Sequence, residues 1–287
     1  MSEGEHKIAD SQGKFLQVVK DGRQLQDADW TQGRIILSNK RVVLVGNEGK
    51  RTIALSNVGG ISGRSDVNQV IAAVSNYVRI QAGTDVYLVA ANDDGGFEHA
   101  LYRALLDKQV ILTKHPAVEG GVVTDAEWEK GRLKLGEDEL NMATQSGTFV
   151  EVELDDIGSV EESERTVMDE KRTALEVEHT VEGTSVQTYF SGPARQVTIL
   201  GSLLRQGEER NAGDIDLSER ENQVLMALYS GVSPFQIPEF VGMEVDEVEE
   251  TFDRLIELEI LEEVRVRKEV QLKARGRNIA SEAMDEN

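Results

Sequence analysis

Cysteine is absent from all 287 residues, which removes disulfide scaffolds, thiolate metal sites and cysteine nucleophiles in one step. Positive charge is scarce: 31 Lys+Arg stand against 53 Asp+Glu, a formal net charge of -22. Binding nucleic acid or an anionic membrane in general requires clustered cations, so this composition argues against both classes. Histidine occurs only as His6, His99, His115 and His179. These fall in unrelated contexts without ligand spacing and read as solvated or core-edge residues. No stretch reaches the ~20 apolar residues of a membrane span. The opening MSEGEHKIADSQ has neither a basic nor an apolar leader region, so a cytoplasmic protein without stable membrane insertion is expected. Hydrophobic residues make up only 39 % of the chain, but they are periodic, which points to folded domains rather than disorder.

Catalytic motifs are missing as well. The sequence holds no GxxxxGK[ST] loop, no GxGxxG opening a helix, no HExxH and no GxSxG. The glycine-rich stretch 58–64 (VGGISGR) reads as a turn within a strand meander. Carboxylate pairs such as Asp93-Asp94 and Asp155-Asp156 are expected by number alone in so acidic a chain. The expectation is a non-enzyme with no cofactor and no metal.

What is present is a duplication. Residues 27–37 (DADWTQGRIIL) and 125–135 (DAEWEKGRLKL) match at an offset of 98, with identity at Asp27/Asp125, Ala28/Ala126, Trp30/Trp128, Gly33/Gly131, Arg34/Arg132 and Leu37/Leu135. The similarity resumes at offset 99, where LSNVGGI (55–61) matches LDDIGSV (154–160). Each copy is therefore a module of roughly 100 residues. Within the first, 33–37, 41–45 and 52–55 read as short strands joined by Ser38-Asn39 and Asn47-Glu48-Gly49 turns. Strands at 77–82 and 86–91 follow, then an amphipathic helix marked by Phe97, Leu101 and Leu105. The second copy repeats the order, with strands at 175–179 and 185–190 and a helix through Val197, Leu200, Leu203 and Leu204. Antiparallel strands closed by one helix resemble the pleckstrin-homology superfold, and the GRIILSNKRVVLV start resembles its GRAM branch. The repeated Trp reads as a shared core anchor.

The final third changes character. Ser218-Glu219-Arg220-Glu221 is a capping box opening a helix with Val224, Leu225 and Leu228 that stops at Gly231. Ser233 and Pro234 start a second, short helix ending by Gly242, and a third spans about 245–259 with Val248, Phe252, Leu255 and Ile256 inward. The period then falls to two, with Val264, Val266, Val270 and Leu272 alternating with charges. Three helices and a hairpin resemble a winged helix-turn-helix. The expected architecture is α+β: two tandem pleckstrin-like modules, 1–116 and 117–210, then a winged-helix-like module, 211–287.

A winged helix raises the alternative of a transcriptional regulator. Residues 244–259, the helix that would enter the major groove, carry eight acids and the single base Arg254, so phosphates repel it along its length and specific DNA recognition is not expected. Cations lie beyond it at Arg265, Arg267, Lys268, Lys273, Arg275 and Arg277. Charge is uneven across the modules too, with a net +1 for 1–116, -12 for 117–210 and -11 for 211–287. The near-neutral first module holds Lys40-Arg41 and Lys50-Arg51 with Arg34 and Arg64. They read either as ordinary hairpin solvation or as a face for an acidic partner. As a lipid-binding surface they are marginal.

The duplicated DA[DE]WxxGR[IL]xL segments, the LSERENQVLMALYSGVSPFQIPEFVG stretch and a salt-adapted acid excess resemble, over essentially the whole chain, the archaeal taxis protein family CheF of haloarchaea. The resemblance implies an adaptor linking the response regulator CheY to archaellum switch components of the FlaC, FlaD and FlaE types, with CheC and CheD as further contacts. It also implies a place at the cytoplasmic face of the archaellum motor, and it brings no binding residues with it. From the residues themselves, 275–287 present Ile279 and Met284 behind Arg275 and Arg277, the pattern of a short helix that docks in a partner's groove. Lys40, Arg41, Lys50 and Arg51 form the second candidate surface. Self-association into a homodimer is expected to add bivalency.

Overall fold

Strand pairing turns the duplicated sequence into two sheets of identical order. In the computed structural model, which describes residues 4–25, 29–47, 49–62, 77–93, 95–211, 217–258 and 260–261, the first copy forms β1 (Lys7–Lys20), β2 (Arg23–Gln24), β3 (Thr31–Ser38), β4 (Arg41–Gly46), β5 (Gly49–Ala54), β6 (Val58–Ser62), β7 (Val78–Ala82) and β8 (Asp85–Ala91), closed by α1 (Gly96–Leu106). The second forms β9 (Val110–Glu119), β10 (Val122–Val123), β11 (Glu129–Leu135), β12 (Glu139–Thr144), β13 (Phe149–Glu153), β14 (Ser159–Val167), β15 (Glu170–Val181) and β16 (Thr184–Ser191), closed by α2 (Ala194–Asn211). The orders are β5-β4-β3-β1-β8-β7-β6 and β13-β12-β11-β9-β16-β15-β14. Every pairing is antiparallel, for example Gly33↔Gly46 and Gly131↔Thr144. The strand that opens the second sheet begins at Val110 and crosses residues 116 and 117.

The repeated signature has a structural job at each position. Leu37 and Leu135 are fully buried. A Cβ on Gly33 would lie 2.0 Å from the Val45 carbonyl oxygen, and one on Gly131 would lie 2.1 Å from Met142 Sδ, so both sites need the bare backbone where neighbouring strands close up. Trp30 packs against the outer apolar cluster of Leu16, Tyr77, Leu88 and Ala90, and its ring centroid is 6.2 Å from that of Tyr77. Trp128 sits 6.4 Å from Tyr189. The tryptophans, expected as core anchors, are both half-buried against a tyrosine and outside the main core.

The chain divides into two compact units, Met1–Gly213 and Asp214–Asn287. In the first, both copies feed one continuous core running from Phe15, Ile35 and Phe97 to Leu133, Phe190 and Leu200. Both helices serve both sheets: α1 packs on β1, β3 and β11, α2 on β14, β15 and β6, and the two pack on each other. Arg195 fastens the arrangement, its Nε and Nη2 donating to the carbonyls of Val58 (2.6 Å) and Leu55 (2.7 Å) in the other copy.

Residues 58–62 correct the turn reading of the glycine-rich stretch. They form β6, paired to β7 with Val58, Gly60 and Ile61 buried. Gly59 faces open space and Gly60 meets only ordinary contacts, so the glycines do not interrupt a strand whose other side is covered by α2. Gly63 and Arg64 lie outside the described residues, as do Asp27 and Ala28.

In the second unit α3 (Glu219–Tyr229), a 3-10 turn (Pro234–Gln236), α4 (Ile237–Val241) and α5 (Val245–Glu257) enclose Val224, Ala227, Ile237, Val248 and Leu255. The capping box forms: Ser218 Oγ accepts from the Glu221 amide at 3.3 Å, and Glu221 Oε2 accepts from the Ser218 amide at 2.6 Å. Ile256, expected inward, is 36 % exposed, and Thr251 takes the buried place beside Val248 and Leu255, because the helical stripe runs through 248, 251 and 255. The expected hairpin strand residues Val264, Val266, Val270 and Leu272 lie outside the described residues.

Candidate functional site

The four cations proposed as one face are split by the strand that separates them. Lys40 and Arg41 sit at the β3–β4 turn, Lys50 and Arg51 at the start of β5 beyond the opposite end of β4. Six residues of extended chain put about 20 Å between the two turns. Arg41 is also engaged, its Nε and Nη2 donating to the Glu5 carboxylate at 2.8 and 2.7 Å. Arg34 forms a similar fork on Asp10 at 2.6 Å for both bonds, and Lys7 adds a third contact at 2.7 Å. Together the Arg34 guanidinium and Lys7 hold the Asp10 carboxyl well below the usual carboxylate range. Much of the basic character of the first copy is thus cancelled locally.

A different grouping remains. Lys50 and Arg51 share an end of the sheet with the β1–β2 hairpin, whose ladder pairs Lys20 with Arg23. Arg51 Nη1 reaches Gln17 Oε1 of β1 at 3.3 Å. Lys20, Arg23 and Lys50 are exposed, and among the described residues none of the four has a carboxylate within ion-pair distance. Asp21 and Asp85 also lie at this rim. Asp85 is occupied, accepting from the Asp21 amide at 2.7 Å and the Tyr87 hydroxyl at 3.2 Å. Lys20 and Arg23 carried no sequence motif. They belong to this rim only because the long first strand runs on into its hairpin.

The outer side of the second sheet carries a satisfied network instead. Arg165 forks onto Glu176 at 2.8 and 2.7 Å and stands 5.1 Å over the Tyr189 ring, with Trp128 on the same tyrosine. Arg165, aided by Ser163, pulls the Glu176 pKa down.

Two histidines read as unrelated are in fact neighbours. His115 Nδ1 and His179 Nε2 lie 2.7 and 2.8 Å from the same Thr188 hydroxyl, with ring centroids 6.1 Å apart. Strands β9, β16 and β15 are adjacent in the sheet, which brings together residues 64 positions apart. His99 is elsewhere, its Nε2 donating to the Gly136 carbonyl at 2.6 Å. Among the described residues no three His, Cys, Asp or Glu are placed to hold a metal ion, and no helix is long and apolar enough to cross a membrane.

In the second unit both described cations are engaged: Arg254 Nε donates to Glu221 Oε1 at 2.7 Å and Arg220 Nη1 to Glu247 Oε1 at 3.0 Å. The exposed side of α5 carries Glu249, Glu250, Asp253 and Glu257, a charge that repels phosphates. The docking candidates Arg275, Arg277, Ile279 and Met284 lie outside the described residues.

Comparison with known proteins adds the following. The family described as archaeal chemotaxis signal transduction system protein F matches residues 7–210, and one described only as a domain of unknown function matches residues 216–285. Taxis protein CheF1 of Halobacterium salinarum is 57 % identical over 289 residues, covering 100 % of both chains. Taxis protein CheF2 of the same organism is 25 % identical over 240 residues, covering 80 % of this chain and 83 % of its own. Among solved structures, the Vps36 N-terminal PH domain aligns at 18 % identity and a TM-score of 0.28 over 37 % of this chain and 82 % of that one.

Proposed function

The chain belongs to the archaeal family of chemotaxis signal transduction system protein F and has a role in chemotaxis signal transduction; we propose that this role is that of a non-catalytic adaptor coupling the response regulator CheY to the archaellum motor switch. Its partners on this reading are CheY, switch proteins of the FlaC, FlaD and FlaE types, and CheC and CheD, met in the cytoplasm at the base of the motor. The observation that supports it best is the rim of Lys20, Arg23, Lys50 and Arg51, which among the described residues has no carboxylate within ion-pair distance, in a chain of net charge -22. A surface of that kind suits a partner whose docking face is acidic, as around a phosphorylated aspartate. We read each copy as a pleckstrin-like module and the second unit as winged-helix-like, both used for protein contacts. The tail residues Arg275, Arg277, Ile279 and Met284 remain the other docking candidate for CheY, and homodimerisation remains part of the proposal.

Calorimetric titration of phosphorylated CheY into the full chain, at molar salt, tests the reading. Lys20→Glu/Lys50→Glu is expected to weaken binding by about tenfold or more. Arg275→Glu/Arg277→Glu, measured in parallel, separates the rim from the tail. Absence of CheY binding by the unaltered chain would overturn the adaptor role, and unchanged affinity in the rim variant would overturn the rim as its docking surface.

A further inference from the structure

From the second unit we infer an additional docking surface, formed by α3 and α4, for a cationic amphipathic segment of a partner protein. The inference does not depend on the CheY reading. Helix α3 has two opposed faces. Val224 and Ala227 are buried against Ile237, Val248 and Leu255, so the internal core of the unit is already closed on that side. On the other side Glu219, Asn222, Met226 and Tyr229 follow one another at spacings of three, four and three, which puts them on one exposed stripe. Met226 is 70 % and Tyr229 88 % exposed, and Phe240 on the neighbouring α4 is 65 % exposed. Phe235, in the turn between them, is 75 % exposed. Large apolar side chains grouped this way within fifteen residues, 226–240, mark interaction sites on soluble proteins far more often than they serve as solvated surface.

Charge decides what covers the patch. Residues 217–258 carry ten acids against Arg220 and Arg254, and both arginines are engaged by Glu247 and Glu221. Glu219 and Glu239 stand beside the apolar residues. A second copy of this unit would press acid against acid, and an anionic lipid surface would be repelled. A partner segment with two or three large apolar side chains flanked by Lys or Arg satisfies both the apolar stripe and its rim. Such a surface is opposite in sign to the Lys20–Lys50 rim, so the two suit partners of different chemistry.

The probe is a fluorescein-labelled Leu/Lys peptide of roughly 14 residues with its leucines at helical spacing, followed by anisotropy against the full chain at about 1 M salt, where long-range attraction is screened. A companion peptide replaces every leucine with alanine at the same charge. The Leu/Lys peptide should bind, and either the companion peptide or the protein variant Tyr229→Ala/Phe240→Ala should weaken that binding by about tenfold or more. Both side chains are mostly solvated, so the variant should melt like the unaltered chain; Met226→Gln is a second, independent variant expected to weaken binding in the same direction. Unchanged binding in both variants, or equal binding of the alanine peptide, overturns the surface. Two results would assign it to another occupant and so overturn the inference: tighter peptide binding after Arg265→Glu/Arg267→Glu in the full chain, which would mean that its own tail covers the patch, or a dimer in light scattering that the variants abolish.

Discussion

Mild acid should destabilise the protein through one buried imidazole. His179 is 2 % exposed, its Nε2 is tied to Thr188, and its Nδ1 has no hydrogen-bond partner among the described residues. Burial, reinforced by His115 and opposed by Asp156, lowers its pKa to about 4. His115 is lowered too, by burial against the pull of Glu119. In the unfolded chain a histidine titrates near 6.5. Between these values the unfolded chain binds more protons than the fold, so stability falls as pH falls; the contribution is complete above about pH 6.5 and lost through about pH 4. For His179 alone, going from about pH 6.5 to 4.5 costs about 2 kcal/mol. The assay is urea unfolding of the unaltered chain and His179→Gln at several pH values and fixed salt. Carboxylates titrate in both proteins, so the difference between the curves isolates the imidazole. The unaltered chain should lose about 2 kcal/mol more than the variant over that interval, while His115→Gln should remove part of the same dependence because the two rings share Thr188. Parallel stability curves for the unaltered chain and His179→Gln would refute the reasoning.

Arg195→Ala should cost about 2 kcal/mol, since two charge-assisted bonds to the Leu55 and Val58 carbonyls are lost together; a melting temperature equal to that of the unaltered chain would contradict this. Gly33→Ala should be far more damaging than Gly131→Ala, because the new methyl meets a backbone carbonyl in the first case and a pliable methionine side chain in the second. Circular dichroism melts should show about 3 kcal/mol or more against about 1 kcal/mol, and equal losses would remove the explanation. With -22 net charge, the fold should melt at lower temperature in dilute buffer than at about 1 M salt, where the Debye length is near 3 Å, and salt-independent melts would argue against self-repulsion.

The duplication was legible because its identities are structural necessities. Leu37/Leu135 fill the core and Gly33/Gly131 permit close strands, so they persist at a constant offset while the surface between them drifts. The opening strands β1 and β9 were not legible. In β1 the first half, KIADSQGK, is polar and extended only because it pairs along its length with β3, β8 joining from Gly13 onward, a tertiary cause that no local period records. The His115–His179 pair was hidden for the same reason, since only strand adjacency joins residues so distant in sequence. The basic face failed in the opposite direction: residues adjacent in sequence suggested one patch, and β4 set them at its two ends.

The shared helices bear on how an adaptor of this kind could work. If each copy had its own core and a linker, a partner on one could reorient the other at small cost. Here α1 and α2 lie against both sheets. Beyond Arg195, the copies are joined by Gln206 donating to Glu98 at 2.9 Å, by His99 on the Gly136 carbonyl, and by the Leu135 amide on Asp107 at 2.8 Å. Burial raises the Glu98 carboxyl pKa against the pull of Gln206 and Arg210, so this joint is desolvated rather than wet. Shifting one sheet against the other would break these bonds and open a continuous core, a cost of several kcal/mol that exceeds the coupling typical between two binding sites. Under the proposed role, the first unit therefore presents its surfaces at fixed separation, and it would couple partners by holding them at high effective concentration rather than by changing shape.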